Sequence, residues 1–323
     1  LIRRMPQDEQ YIISAHGLRY AYGEQQAVDG IDLQIKTGEF FGLLGPNGAG
    51  KTTTISILST LIIPDAGEVR INGFDLRSDR MQVRRAIGIV PQEIALYDDL
   101  SALENLVFWG RLYGLNNTDC RNLGSRLLAM AGLETRKHDR VGTFSGGMKR
   151  RVNLVSALMH QPKVLLMDEP TVGIDPQSRN HIFRMLEELH GQGITIIYTT
   201  HYMEEVEKLC SRAAIIDHGQ IIALGSLDEL RRISTNHSAI KIELVNAMPG
   251  GMDLALPQGC AISLQDKMLT ISTPEPMMHL GIILEAVASA GGKVHRVELH
   301  APDLETVFLD LTGRKLRDDP PTP

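Results

Sequence analysis

The stretch Glu39-Phe-Phe-Gly-Leu-Leu-Gly45-Pro46-Asn47-Gly48-Ala49-Gly50-Lys51-Thr52-Thr53 decides the fold of this chain. Its first six residues form a short apolar run. The next eight fit the spacing G-x-x-x-x-G-K-[ST], and Thr53–Leu61 behind them has the composition of an apolar helix. Strand, glycine loop and helix in that order make a phosphate cradle. The glycines let backbone N–H groups turn toward an anion, and the helix N-terminus adds partial positive charge. In such a loop Lys51 reaches the terminal phosphates and the Thr52 hydroxyl faces Mg2+. A glycine-rich turn with a stray lysine is the bland alternative, and the strand before and helix after argue against it.

Two further apolar runs repeat the design. Lys163–Met167 ends in Asp168-Glu169-Pro, and the β-branched run Ile194–Thr200 ends in His201. Short apolar runs separated by helical segments read as buried parallel strands of an α/β sheet. Their polar residues fall just past the C-terminal ends, where open α/β sheets bind ligands. Asp168 suits Mg2+, and Glu169 suits polarising an attacking water. Two acids in a strand-end loop would say little alone; with the phosphate loop upstream they point to nucleotide hydrolysis. Ser101-Ala-Leu-Glu104 is a capping box opening a helix over Leu103–Tyr113, and Ser226-Leu-Asp-Glu229 opens a short one ending near Arg231-Arg232. Ala213–Asp217 and Gln220–Leu224 flank His218-Gly219 as a hairpin.

After Arg232 the texture changes. Ser234–Ser238 is polar and reads as a linker. Ile240–Val245, Met268–Ser272 and Lys293–Leu299 read as strands, and Pro276–Ala290 and Asp303–Thr312 as helices. Leu304, Val307, Phe308 and Leu311 share one apolar face. The expected organisation is a nucleotide domain over 11–232, a small α+β domain over 236–313 and a charged, Pro-rich flexible tail over 314–323. The length of 323 residues allows about two domains at ~150 residues each.

Composition narrows the function. The net charge of −6 disfavours a general nucleic-acid binder. Three scattered cysteines, Cys120, Cys210 and Cys260, read as reduced thiols and not as a disulfide scaffold. The scattered histidines show no metal spacing. The first ten residues do not read as a secretory signal. Leu189–Met203 carries no Asp, Glu, Lys or Arg, yet it falls short of the ~18 apolar residues of a membrane span. Any membrane role is therefore expected through a partner.

Between the phosphate loop and the acids lies Thr143-Phe144-Ser145-Gly146-Gly147-Met148-Lys-Arg-Arg151. Tyr22 stands near the start, Gln92 follows a strand, Gly173-Ile-Asp175-Pro176 follows the acids, and His201 follows the next strand. This ordered set, over about residues 12–230, resembles the ATP-binding cassette (ABC) family. Leu304–Gly313 resembles the ending of daunorubicin-resistance-type members, which work with a separate permease. A GTPase is disfavoured, since Thr135–Asp139 is not a base-reading Asn-Lys-x-Asp motif. A small-molecule kinase would not need Ser145-Gly146-Gly147.

The resemblance implies a P-loop NTPase cassette: a mixed-sheet core, a helical subdomain at about 95–160 and an N-terminal antiparallel β subdomain. It implies that Tyr22 stacks on adenine and that Gly45 to Thr53 wrap the phosphates. Gln92 contacts Mg2+ or the lytic water, Glu169 activates that water, and His201 bonds the γ-phosphate. Thr52, Gln92 and Asp168 are then the Mg2+ residues. Ser145, Gly146 and Gly147 act in trans on the ATP of a second subunit, with Asp175 at the seam. That subunit is a second copy or a paralogue. For single residues the bland alternatives are a turn tyrosine for Tyr22, a polar loop residue for Gln92, a helix-capping histidine for His201 and an N-cap for Asp175. Phe144 and Met148 replace the usual Leu and Gln of the signature, and Met148 cannot reproduce a Gln hydrogen bond.

Lys149-Arg-Arg151 is expected to be a solvated helix face. Phe108 and Trp109 read as core, or, by resemblance, as the groove for the permease's cytoplasmic helix. The function implied is the ATPase of an ABC exporter of drugs, lipids or other hydrophobic or glycan cargo, placed peripherally at the cytoplasmic face of the cell membrane. The alternatives are a soluble ABC ATPase acting on ribosomes or DNA, and an importer ATPase. One cassette and no sustained heptads between Lys51 and Asp168 disfavour the former; the chain's ending disfavours the latter.

Overall fold

The computed structural model describes residues 11–233, 239–246, 254, 256–273, 276–300 and 303–312. Two compact units meet between Ser226 and Leu227. The first begins with a long hairpin, β1 (Tyr11–Tyr22) and β2 (Gln25–Lys36). Gly23 at its two-residue turn has φ 61, a left-handed conformation that glycine adopts without steric cost. Then come β3 (Phe40–Leu44), α1 (Lys51–Leu58), β4 (Ala66–Ile71), β5 (Phe74–Asp75), α2 (Arg80–Ala86) and β6 (Ile87–Val90). Three longer helices follow: α3 (Ala102–Leu112), α4 (Asn117–Met130) and α5 (Gly146–Ser156). The unit closes with β7 (Val164–Asp168), α6 (Pro176–Gly191), β8 (Thr195–Thr200), α7 (Met203–Leu209), β9 (Arg212–Asp217) and β10 (Gln220–Ser226).

These strands make two sheets. β2-β1-β4-β5 is antiparallel, and β10-β9-β3-β8-β7-β6 is parallel except for β10. Every residue of β3, β7 and β8 is buried, as expected of strands covered on both faces. One apolar core joins Ile13, Leu18, Ile31 and Leu33 of the first sheet to α1 and to Leu43, Leu166 and Ile197 of the second. The polar ends of β3, β8, β7 and β6 are thereby brought to one edge of the parallel sheet.

Helix starts follow the sequence signals. Ser101 Oγ accepts from the Glu104 N–H, and Glu104 Oε2 accepts from the Ser101 N–H, completing the expected box. Asn116 caps α4 by accepting from the Asp119 N–H. Helices α3 and α4 cross closely. A Cβ on Gly124 would lie 2.9 Å from Leu103, and one on Gly110 2.8 Å from Cys120 Sγ. These helices form the expected helical subdomain, and β1, β2, β4 and β5 the expected antiparallel one.

The second unit contains α8 (Leu227–Ile233), β11 (Ala239–Leu244), β12 (Ala261–Gln265), β13 (Met268–Ser272), α9 (Pro276–Ser289), β14 (Val294–His300) and α10 (Leu304–Thr312). Its antiparallel sheet runs β12-β13-β11-β14. Ile240, Ile242, Leu244, Leu269 and Ile271 pack with Ile283 and Val287 of α9. The sequence reading placed α8 with the nucleotide domain, whereas α8 buries Leu230 and packs on α10, so the boundary moves to Leu227. Leu304, Val307 and Phe308 are buried as expected, but Leu311 is exposed. Strand β12 was missed, although Ala-Ile-Ser-Leu-Gln alternates as an edge strand does. The expected linker at 234–238 and tail at 314–323 lie outside the described residues. No helix among those described is long and apolar enough to cross a membrane.

Phe41, in the centre of β3, is fully buried. Phe41→Ala is expected to lower the unfolding free energy by about 3–5 kcal/mol through cavity formation. Denaturant titration checks this as a lower midpoint at unchanged slope.

Candidate active site

The loop after β3 is held by close backbone contacts. A Cβ on Gly45 would lie 2.3 Å from the Ile216 carbonyl, and one on Gly50 2.4 Å from that of Ala27. Gly48 and Gly50 have φ 78 and 106. Only glycine fits that combination at Gly50. Helix α1 then starts at Lys51 with no side-chain cap. Its first N–H groups are left for an anion. Lys51 is 4% exposed, and its ammonium donates to the Gly45 carbonyl at 2.8 Å and the Pro46 carbonyl at 3.1 Å. It also lies 3.1 Å from Glu169 Oε1.

Asp168 ends β7 and is buried. Its Oδ1 accepts from Thr199 Oγ1 at 2.7 Å and from Thr52 Oγ1 at 3.2 Å. Glu169 follows with φ 44, an uncommon conformation for a non-glycine residue. Its N–H is held by Thr199, through Oγ1 at 3.0 Å and the carbonyl at 3.2 Å. The Glu169 carboxylate is thus fixed between two cations or donors. His201 Nδ1 lies 3.2 Å from Oε2, a close approach without hydrogen-bond alignment. Burial pushes the Glu169 carboxyl up, but His201 and Lys51 together outweigh it and hold the carboxyl below its ordinary range.

His201 does not cap α7; the Tyr202 N–H donates to Thr200 Oγ1 instead. Behind it, Glu205 of α7 is 3% exposed and accepts from the hydroxyls of Thr171, Tyr198 and Thr200 at 2.8–2.9 Å. This cluster ties β8, α7 and the loop after Glu169 together. Thr199 and Glu205 were not singled out in the sequence. Their only local signal is a hydroxyl in a β-branched strand and an acid in a short helix.

Gln92 follows β6 on the same sheet edge, and its side chain is exposed. Tyr22 is 54% exposed at the hairpin tip, edge-on to Tyr20 at 4.9 Å. Ser145 caps α5, accepting from the Met148 N–H at 3.3 Å. A Cβ on Gly146 would meet nothing within 4 Å, whereas one on Gly147 would collide with Ser178 of α6. Asp175 caps α6 with Pro176 in the first turn, accepting from the Ser178 N–H at 2.9 Å. Among the described residues, Ser145 to Gly147 share no hydrogen bond or ion pair with the phosphate loop. Met148 receives an Arg136 N–H on its sulfur at 3.5 Å, and Arg136 lies over the Phe144 ring.

The charged run after the signature is not a solvated face. Lys149 pairs with Asp98 at 2.7 Å. Arg150 is 4% exposed and donates to the Pro91 carbonyl at 2.8 Å. Arg151 donates to the Ala131 carbonyl at 2.7 Å. Backbone carbonyls of the neighbouring loops compensate the guanidinium groups that the helix turns inward. Phe108 and Trp109 are half-buried, with Phe108 between Trp109 at 5.5 Å and exposed Tyr97 at 4.9 Å.

Residues 28–172 match the family profile described as ABC transporter, and 138–207 match that of an AAA domain. The linearmycin resistance ATP-binding protein LnrL of Bacillus subtilis (strain 168) is 43% identical, over 95% of this chain and all of that protein. The daunorubicin resistance ATP-binding protein DrrA3 of Streptomyces coeruleorubidus is 37% identical, over 93% of this chain and 96% of that one. The chain belongs to the ABC transporter ATP-binding family. A solved dimeric ATP-binding cassette, in a post-hydrolysis state bound to ADP and Pi, is 29% identical at a TM-score of 0.61. That match covers 67% of this chain and 98% of the other. The chain is an ABC ATPase with the P-loop cassette fold.

Within the ABC cassette the oxygens of Thr52 and Asp168 are hard donors suited to Mg2+, which keeps several positions for phosphate and water. No cluster of three His, Cys, Asp or Glu side chains that could hold a metal exists among the described residues.

The depressed Glu169 pKa has a stability consequence. Its contribution is fully present above the ordinary value of 4.5 and is lost as pH falls through the lower native value. Without nucleotide, wild type is expected to melt above Glu169→Gln at neutral pH. The gap should narrow progressively below about pH 4.5 in a Tm series against pH.

Proposed function

We propose that this chain is the motor of an ABC exporter, binding Mg-ATP in a head-to-tail dimer and driving a separate membrane permease. The observation that carries the chemistry is the Glu169 carboxylate, held between Lys51 and His201 beside the Asp168–Thr52 pair. Gly45 to Thr53 wrap the phosphates, and Lys51 turns from Glu169 to the terminal phosphates. Glu169 takes a proton from the attacking water as its oxygen bonds the γ-phosphorus, and the bond to the β-phosphate oxygen breaks to give ADP and phosphate. His201 holds the γ-phosphate, and Tyr22 offers its exposed ring to adenine. Mg2+, held by Thr52 and Asp168 with Gln92 beside it, would neutralise phosphate charge.

Ser145, Gly146 and Gly147 form a second helix N-terminus suited to an anion. In the proposed pair they close on the ATP of the other subunit, a second copy or a paralogue, with Asp175 at the seam. Exposed Tyr97, packed on Phe108, and exposed Ile94 of the same loop supply apolar surface for the permease. That contact would hold the chain at the cytoplasmic face of the membrane. The resistance relatives favour export of a drug or another hydrophobic, lipid or glycan cargo over import or work on ribosomes or DNA.

Lys51→Ala is expected to lose ATP binding. Glu169→Gln should keep binding and lose turnover by about 100-fold or more, the scale of a general base. Affinity purification from detergent-solubilised membranes tests the transporter reading. A stoichiometric polytopic membrane protein is the expected companion. Recovery with ribosomal or DNA-bound proteins alone would overturn the exporter reading and leave the ATPase standing.

A further inference from the structure

The Gln92 loop leaves the parallel sheet at β6 but is fastened elsewhere. Pro91 and Ala95, on either side of Gln92, are both bound by side chains of α5. Arg150 Nη1 donates to the Pro91 carbonyl at 2.8 Å, and the Ala95 N–H donates to Asn153 Oδ1 at 3.2 Å. Arg150 and Asn153 are three residues apart, hence neighbours on one helix face, and each is 4% exposed. Farther along, the loop is held by α3 as well as by α5. The Tyr97 N–H donates to Asn105 Oδ1 at 2.8 Å, and Asn105 Nδ2 donates to the Tyr97 carbonyl at 3.0 Å. Asp98 pairs with Lys149. Gln92, Glu93 and Ile94 are left exposed between the two α5 anchors.

Helix α5 is also the helix whose first residues are the signature. A rigid helix therefore carries, within about two turns, the surface offered to the partner's nucleotide and the anchors of the Gln92 loop. We propose that Arg150 and Asn153 are positioning residues for Gln92, fastening its loop to the signature helix so that the two move together. This rests on the catalytic role given to Gln92 above. Asn153 Nδ2 is buried without a hydrogen-bond partner among the described residues, so the loop's present position uses only half of that amide.

The test uses the full chain and three variants, Asn153→Leu, Gln92→Ala and the double mutant, with thermal melting as a fold control. Removing the Oδ1 acceptor unfastens the Ala95 N–H from α5, and turnover is expected to fall about tenfold while the ATP dissociation constant stays within about twofold. Asn153→Asp, which keeps an oxygen facing Ala95, should recover most of that rate. The double mutant should be no slower than Gln92→Ala alone, because Asn153 acts through Gln92. Hydrogen exchange over 92–97, which needs no turnover, should quicken in Asn153→Leu. Wild-type turnover or unchanged exchange in a folded Asn153→Leu would overturn the proposal. Additive losses in the double mutant would overturn it alone, leaving the role of Gln92 intact. Wild-type turnover in Gln92→Ala would overturn both.

Discussion

A buried ammonium must be surrounded by acceptors, and in this chain Lys51 imposes that demand on two separate segments. The Gly45 and Pro46 carbonyls reach it because the loop curls back over the start of α1. That curl needs positive φ at Gly48 and Gly50 and no Cβ where Gly50 meets Ala27. The third acceptor, Glu169, arrives from the end of β7 in a left-handed conformation fixed by Thr199 of β8. The sheet order β3-β8-β7 is thus part of the site: β8 stands between the lysine's strand and the glutamate's, and Thr199, with His201 just past the strand's end, holds the glutamate. Backbone strain at Glu169 is tolerated because these contacts over-determine it.

The same burial that makes the strands also sharpens the chemistry. β3, β7 and β8 are covered on both faces, so their polar ends sit against a dry interior where charge interactions strengthen. Glu169 feels both consequences. Desolvation disfavours its charge, and the two neighbours restore it, leaving an ionised base beside the phosphate cradle. Glu205 shows the complementary solution one layer deeper. There three hydroxyls satisfy a buried carboxylate and fix the segment that carries His201.

What was legible in the sequence is what depends on local spacing. Gly45 to Thr52 reads directly because the loop's shape is written in its own glycines, and Ser101 and Asp175 read because a cap spans only three residues. Residues whose role is set by tertiary packing were silent or misleading. Thr199 is one more β-branched letter in an apolar strand until β7 lies beside it. Lys149-Arg-Arg151 looks like a solvated run, yet the signature helix turns Arg150 into the protein, where the Pro91 carbonyl receives it. The polar run after Arg232 reads as a boundary, and only the packing of Leu230 assigns α8, which precedes that run, to the second unit.

The two units also divide the kinds of information they carry. Lys51, Asp168, Glu169 and His201 all belong to the first unit and specify hydrolysis, whatever is moved. The second unit has a core of its own, with Ile240, Ile242 and Leu269 closed by Ile283 and Val287, and no residue of the hydrolytic set lies in it. A separately closed core can change its surface without disturbing the geometry around Lys51. Divergence among cassettes with the same chemistry can therefore accumulate there and on the exposed Gln92 loop, where Ile94 and Tyr97 contribute nothing to the hydrolytic contacts. The contacts that fix hydrolysis are local to Lys51, Asp168, Glu169 and His201, so the chain's sequence speaks clearly about its reaction and faintly about what that reaction drives.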